Sequence, residues 1–266
     1  MQSAPVDDSR AVIEAVDLVK HYTAGDGDGV RAVDGVSLAV GAGEMVGLLG
    51  ANGAGKTTTL RMLATLLKPT SGSARIAGCD TRLDPVGVRR RLGYLSATTG
   101  VPDRLTPREI FASFAELHGL HGDVRDARVA RLVSALDLAA CADRPAGRLS
   151  SGQRQRVSLG RALVHDPPAI ILDEPTSALD VVGARDLLAL LADLRAQGRA
   201  ILISTHRLHE IEHRCDRFVI LHAGRVVAHG TRAELVAAWL NGRDGELEDA
   251  FFAAIEGRRL AGGVPS

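Results

Sequence analysis

Gly50-Ala51-Asn52-Gly53-Ala54-Gly55-Lys56-Thr57 is the stretch that decides the fold. It satisfies the pattern G-x-x-x-x-G-K-[ST] in full. Its setting also fits, with the apolar run Met45–Leu49 before it and the helical pattern TTTLRMLATLL after it. Glycines at these places let backbone N–H groups turn inward and approach phosphate oxygens, and the start of the helix adds partial positive charge. Lys56 supplies a point charge for the β- and γ-phosphates, and the Thr57 hydroxyl is a ligand for Mg²⁺. The predicted nucleotide contacts are Gly50, Asn52, Gly53, Ala54, Gly55, Lys56, Thr57 and Thr58. Such a loop binds a nucleoside triphosphate.

Outward from the loop, strand-length apolar runs recur at Val12–Val16, Ala169–Leu172, Ala200–Ser204 and Phe218–Leu221. Several are nearly continuous, as in strands buried on both faces. Helical patterns lie between them. Thr57–Leu67 is expected to stop before Pro69. Thr106-Pro107-Arg108-Glu109 and Thr231-Arg232-Ala233-Glu234 each open a helix with a capping box. The alternation predicts a mostly parallel α/β sheet. From Thr106 to Gly147 only helical patterns occur, which predicts a helical subdomain, about residues 104–148, inserted into that core. The 266 residues suffice for a large core, and no internal repeat suggests a second nucleotide fold.

Composition narrows the partners. Thirty-two basic and 32 acidic residues cancel, so no global field favours nucleic acid or anionic lipid. Arg89-Arg90-Arg91 reads as a solvated helix face. Three scattered cysteines, Cys79, Cys141 and Cys215, fit a reducing compartment. The polar N-terminus MQSAPVDDSR is no secretory signal, and no apolar run is long enough to span a bilayer. A cytoplasmic chain is expected, with any membrane spanning left to another polypeptide.

Two further stretches carry chemistry. Ala169-Ile170-Ile171-Leu172-Asp173-Glu174 places two carboxylates at the end of a buried strand, where ligands of open α/β sheets sit. Asp173 is placed to hold Mg²⁺ and Glu174 to take a proton from an attacking water. In Leu149-Ser150-Ser151-Gly152-Gln153, Ser150 is a natural N-cap and Gly152 leaves the backbone accessible. Alone, that pentapeptide reads equally as a second anion site, one suited to a partner's phosphate, or as a helix cap.

With these pieces in order, the chain resembles the ATP-binding subunit of an ABC transporter, from about Ile13 to Ala233. LSSGQ is similar to the family's LSGGQ signature, Ser177-Ala178-Leu179-Asp180 to its D-loop, and His206 in ILISTH to its switch histidine. Tyr22 matches the aromatic that stacks on adenine, although a core or edge role also suits it. The resemblance implies a P-loop NTPase core over residues 11–240, with an N-terminal antiparallel β portion and the helical insertion. A C-terminal helical tail would occupy residues 241–266. It implies ATP and Mg²⁺ as ligands, and Glu174 and His206 as catalytic residues. Tyr22, the P-loop, Ser150, Gly152, Gln153 and Asp180 would bind nucleotide, and Thr57 and Asp173 the metal. It further implies a head-to-tail dimer, homomeric or heteromeric, and a separate integral-membrane permease. The location would then be the inner face of the cell membrane.

One departure stands out. The family usually carries a glutamine between the strand GYL and the helical subdomain, and here Ala97 occupies that place, with Thr98 and Thr99 as the nearby hydroxyls. The same stretch, together with DRLTPRE and the tail GELEDAFFAAIEG, is similar to the sodium-efflux and drug-resistance export branch. Export of Na⁺ or of a hydrophobic drug is the implied task. A soluble non-transport relative, such as an iron–sulfur assembly subunit, is the competing reading.

HEIEH at 209–213 also matches the zinc pattern H-E-x-x-H. In the resemblance it falls on a charged helix after His206, where Glu210 and Glu212 are expected to face solvent. A zinc site would need a third ligand that no later pattern offers.

Overall fold

In this computed structural model the described residues are 11–23, 29–96, 100–240 and 245–261. A long hairpin opens the chain, β1 (Ala11–Tyr22) against β2 (Val30–Gly41), and β3 (Met45–Leu49) leads into α1 (Lys56–Leu63). Next come β4 (Ser71–Ile76), β5 (Cys79–Asp80), α2 (Pro85–Arg91) and β6 (Leu92–Leu95). The segment α3 (Pro107–Leu117), α4 (Gly122–Ala135) and α5 (Ser151–Leu163) then precedes β7 (Ala169–Asp173). The remainder runs α6 (Val181–Ala196), β8 (Ala200–Thr205), α7 (Leu208–Ile211), β9 (Arg217–His222), β10 (Arg225–Gly230), α8 (Arg232–Trp239) and α9 (Leu247–Ala261).

Two sheets result. One is antiparallel in the order β2-β1-β4-β5. The other has the order β10-β9-β3-β8-β7-β6 and is parallel except for β10. The expected antiparallel portion is therefore present, but it also takes in β4 and β5, which follow α1 in sequence. β3, β7 and β8 are buried at every residue, and alternate residues feed opposite faces. Met45, Leu49, Ile170, Leu172, Ile201 and Ile203 join a core with α3, α4, α5, α6 and α9. Val46, Leu48, Ala169, Ile171, Ala200 and Leu202 join the other, with α1 and the antiparallel sheet. A strand covered on both sides has no polar face, which is why these runs are continuous.

The helix starts follow their capping chemistry. Thr106, Ser150 and Thr231 each cap a helix with the hydroxyl, and their own N–H groups donate to the side chains of Glu109, Gln153 and Glu234. α1 departs from expectation at its other end, stopping at Leu63 instead of Leu67. Thr65 adopts φ 61, and the N–H groups of Thr65 and Leu66 bond back to Met62 and Arg61. That is a left-handed helix stop, set four residues before Pro69. Arg89, Arg90 and Arg91 are exposed on α2, as a solvated face requires.

At the junction of α3 with the loop after α5, the rings of His118 and His165 stack with centroids 3.8 Å apart. Burial pushes the His165 pKa from 6.5 down to about 4, and His118 adds to the drop. The unfolded chain thus binds more protons than the folded one across this window. Stability from this site is full above about pH 6.5 and is lost as pH falls toward 4. Denaturation midpoints compared near neutrality and near pH 5 should fall for the native chain. His165→Phe, which keeps the stack without the titration, should lose part of that fall. An identical fall in both would remove His165 as its source.

Candidate functional site

The loop from β3 to α1 is shaped by its glycines. A Cβ at Gly50 would lie 2.7 Å from the Leu221 carbonyl oxygen, against β9. Gly55 adopts φ 103, and a Cβ there would sit 2.6 Å from the Ala32 carbonyl oxygen of β2. Only glycine accepts both constraints at Gly55. The N-cap of α1 is Gly55, which has no side chain to satisfy the N–H groups of the first turn. Asn52 is exposed on the crest and Thr58 lies half-buried in the first turn.

Lys56 is 6% exposed. Its Nζ donates to the carbonyl oxygens of Gly50 at 2.6 Å and Ala51 at 3.3 Å, and lies 4.0 Å from Glu174 Oε1. Burial lowers its pKa, against the opposing pull of Glu174 and Asp173. One residue on, Thr57 Oγ1 donates to Asp173 Oδ1 at 3.3 Å. Asp173 closes β7 at 2% exposure, and Ser204 Oγ on the neighbouring β8 donates to it at 2.7 Å. Thus two oxygen-bearing side chains, Thr57 and Asp173, converge beside the phosphate loop.

Glu174 follows with φ 52, uncommon for any residue but glycine, and stands before Pro175, whose ring restricts it further. Its N–H donates to Ser204 O at 3.1 Å, and its own carbonyl accepts from Ser177 Oγ at 2.9 Å. His206 Nδ1 lies 2.8 Å from Glu174 Oε2, where an N–H donates to the carboxylate. Strain of this kind persists only where surrounding bonds over-determine it, and it aims Glu174 at Lys56 and His206.

The structure therefore joins Lys56, Thr57, Asp173, Glu174 and His206. The α5 end stands apart. Ser150 Oγ accepts from Gln153 N and Gln153 Oε1 accepts from Ser150 N, so both side chains cap α5. Among the described residues no hydrogen bond links Ser150, Gly152 or Gln153 to Lys56 or Thr57. Asp180 accepts from Gly183 N at 2.7 Å and caps α6. Tyr22, 42% exposed, pairs with Val30 near the end of β2 whose Ala32 touches Gly55. Lys20 Nζ lies 5.2 Å from the centre of its ring. Ala97, Thr98 and Thr99 lie outside the described residues, and Arg161 of α5 donates to the adjoining Gly100 carbonyl at 3.2 Å.

The HEIEH acids need correction. Glu210 and Glu212 are not solvent-facing: their side chains are 13% and 11% exposed and pair with Arg207 and Arg232. α7 is a single turn ending at Ile211, so His209 and His213 share no helix face. Ser204 was missed in the sequence, although a serine inside the apolar run ILIS was its visible signal.

A phosphate loop at the end of β3, with an aspartate and a glutamate at the end of β7, defines a P-loop nucleoside-triphosphate hydrolase. The family model described as "ABC transporter" matches residues 33–177. The ABC transporter ATP-binding protein NatA of Bacillus subtilis is 39% identical over 207 residues, covering 77% of this chain and 84% of that one. The Nod factor export ATP-binding protein I of Burkholderia pseudomallei (strain 1710b) is 38% identical over 230 residues, covering 86% and 74%. A solved dimer of the cassette MJ0796, in a post-hydrolysis state with ADP and Pi, superposes with TM-score 0.75 at 27% identity, covering 82% and 98%. The chain belongs to the ABC transporter family, as an ATP-binding subunit that hydrolyses ATP. One of these relatives is named for a transporter and the other for export, which favours transport over the iron–sulfur alternative. No helix among the described residues is long and apolar enough to cross a membrane.

Proposed function

We propose that two such cassettes pair head to tail, bind ATP between them and drive a separate integral-membrane permease of an export system. Convergence of Lys56, Thr57, Asp173, Glu174 and His206 at the carboxyl ends of β3, β7 and β8 carries this reading. The loop N–H groups and Lys56 hold the β- and γ-phosphates. Thr57 and Asp173 fit Mg²⁺, since both offer hard oxygen ligands 3.3 Å apart. Held by Thr57 and Asp173, Mg²⁺ would supply positive charge to offset that of the phosphates. Glu174 accepts the proton of the water that attacks the γ-phosphorus, while the bond to the ADP oxygen breaks. His206 holds Glu174 and faces the γ-phosphate. Ser150, Gly152 and Gln153 contact the nucleotide of the partner cassette, Asp180 lies at that interface, and Tyr22 stacks on the adenine.

A nucleotide between cassettes explains why the α5 end is unconnected to its own phosphate loop. The Nod factor export relative supports the export direction, and cargo choice belongs to the permease, with Na⁺ and hydrophobic drugs the first to test. The chain would sit on the inner face of the membrane through that permease. Membranes from cells expressing the chain with and without a co-expressed multi-span neighbour test this. ATPase activity sedimenting with membranes only when the neighbour is present supports the reading. Equal, fully soluble activity in both would sink it.

A further inference from the structure

The strained carboxylate residue has one tether that the mechanism has not used. Gln155 Nε2, in the second turn of α5, donates to the Pro175 carbonyl oxygen at 2.7 Å. Pro175 is the residue directly after Glu174 and is itself buried. Lys56 and His206 meet the Glu174 carboxylate, whereas the backbone of this segment is otherwise held from β8 and from within: Ser204 receives the Glu174 N–H, Ser177 reaches back to the Glu174 carbonyl, and Leu179 N donates to Thr176 O. Gln155 therefore reaches the segment from a different element, the helix whose first residues carry the LSSGQ motif. Packing follows the same line, since a Cβ at Gly152 would lie 3.6 Å from Leu179 Cδ2. Arg156 does not duplicate the link, for its guanidinium pairs with Asp137 and Asp186.

We infer that Gln155 is a positioning residue that ties the N-terminal half of α5 to the peptide behind Glu174, so that contact made at the α5 end adjusts the carboxylate of the same subunit. This rests on the head-to-tail pairing proposed above. There the α5 end meets the partner's nucleotide, while Glu174 works on the subunit's own. One short hydrogen bond then couples the two nucleotides of the dimer. The geometry favours such a coupling because Glu174, at φ 52 before a proline, keeps its conformation only while the bonds around it hold. A shift of α5 along its axis would pull on the Pro175 carbonyl first.

Three variants of the full chain test this by steady-state ATPase titrations beside equilibrium ATP binding. Gln155→Met keeps the length without the donor, Gln155→Glu keeps the shape with an acceptor in its place, and Gln155→Lys restores a donor. Loss of a single neutral hydrogen bond predicts a kcat lower by about two- to tenfold in the Met and Glu variants. ATP affinity should hold within about twofold, since neither variant touches the phosphate loop. Their Hill coefficient for ATP should fall toward 1, and the Lys variant should regain both kcat and cooperativity. Should the Met variant fail to fold, seen as lost ATP binding and a collapsed melt, the nearly isosteric Glu variant decides. Wild-type kcat and cooperativity in whichever of these two folds would overturn the inference. Failure of the pairing itself is separately visible, as the absence of an ATP-dependent dimer in Glu174→Gln by light scattering.

Discussion

Glu174→Gln should keep ATP binding and lose steady turnover by about 10²–10⁴-fold, the usual worth of a positioned general base. The amide matches the carboxylate in size, so the bonds that hold residue 174, from its N–H to Ser204 and from Ser177 to its carbonyl, are untouched. Lys56 keeps its bonds to Gly50 and Ala51, and the phosphate loop stays intact. The proton acceptor disappears, and with it the carboxylate charge that faces Lys56 and His206. Removing one negative charge 4.0 Å from Lys56 also eases the approach of a triphosphate, so ATP affinity should stay level or rise. ATP that is bound and not cleaved should then hold two cassettes together, measurable as a doubled mass by light scattering with ATP and not with ADP. Normal turnover by this variant would take the base role from Glu174. His206, 2.8 Å away, would be the next group to test.

The legible parts of this protein were those whose physics is local. The phosphate loop, the carboxylate pair after β7 and the capping boxes of α3 and α8 each lie within a few consecutive residues. Continuous strands could be read because both faces of the parallel sheet are covered. Longer-range structure was not so readable. β1 extends to Tyr22, yet only its first half reads as a strand, because its register against β2 shifts between Ala15 and Leu18, around an Asp17 with φ 48. A bulge breaks the alternation that sequence reading depends on. β4, Ser71–Ile76, contains Gly72 and two serines and looks like a loop; its pairing with β1 makes it a strand. α1 stops at a threonine in the left-handed region, a place where glycine is the usual signal.

The same division runs through the site. Asp173 and Glu174 were visible, but Ser204 is joined to them only by the register of β7 against β8, which sets Asp173 opposite Ser204. Gln155 looked like one more polar residue on a helix until its partner, twenty residues away, was placed beside it. Glu210 and Glu212 erred the other way. Acids on a short polar helix read as solvated, yet Glu210 and Glu212 are half-buried ion-pair partners of Arg207 and Arg232. Arg207 lies one turn before Glu210, but Arg232 comes from α8, and an arginine from another helix does not enter the spacing along one element.

Lys56→Ala should lose nucleotide binding, and the structure says why the loss exceeds that of one surface charge. The ammonium is 6% exposed and sits between the phosphate loop and two carboxylates. Its charge compensates Asp173 and Glu174, as the upward pull of both on its pKa shows. Without it, an incoming triphosphate meets those carboxylates with less cation to offset them, and two charge-assisted hydrogen bonds to phosphate are also gone. At about 1.5–3 kcal/mol for each such bond, affinity should fall by at least about a hundredfold. Lys56→Arg should rescue little, because a planar guanidinium is bulkier than the buried ammonium that sits 2.6 and 3.3 Å from the Gly50 and Ala51 carbonyls. Both variants should be titrated with ATP by equilibrium dialysis, beside thermal melts. The two carbonyls that Lys56 now satisfies would be left short of a donor, costing about 1–3 kcal/mol each where water cannot reach them. A lower melting temperature is therefore expected in Lys56→Ala, and the comparison must be made below it. ATP affinity undiminished in a folded Lys56→Ala would mean that the loop between β3 and α1 does not hold the phosphates. The roles given to Thr57, Asp173 and Glu174 would then fall with it.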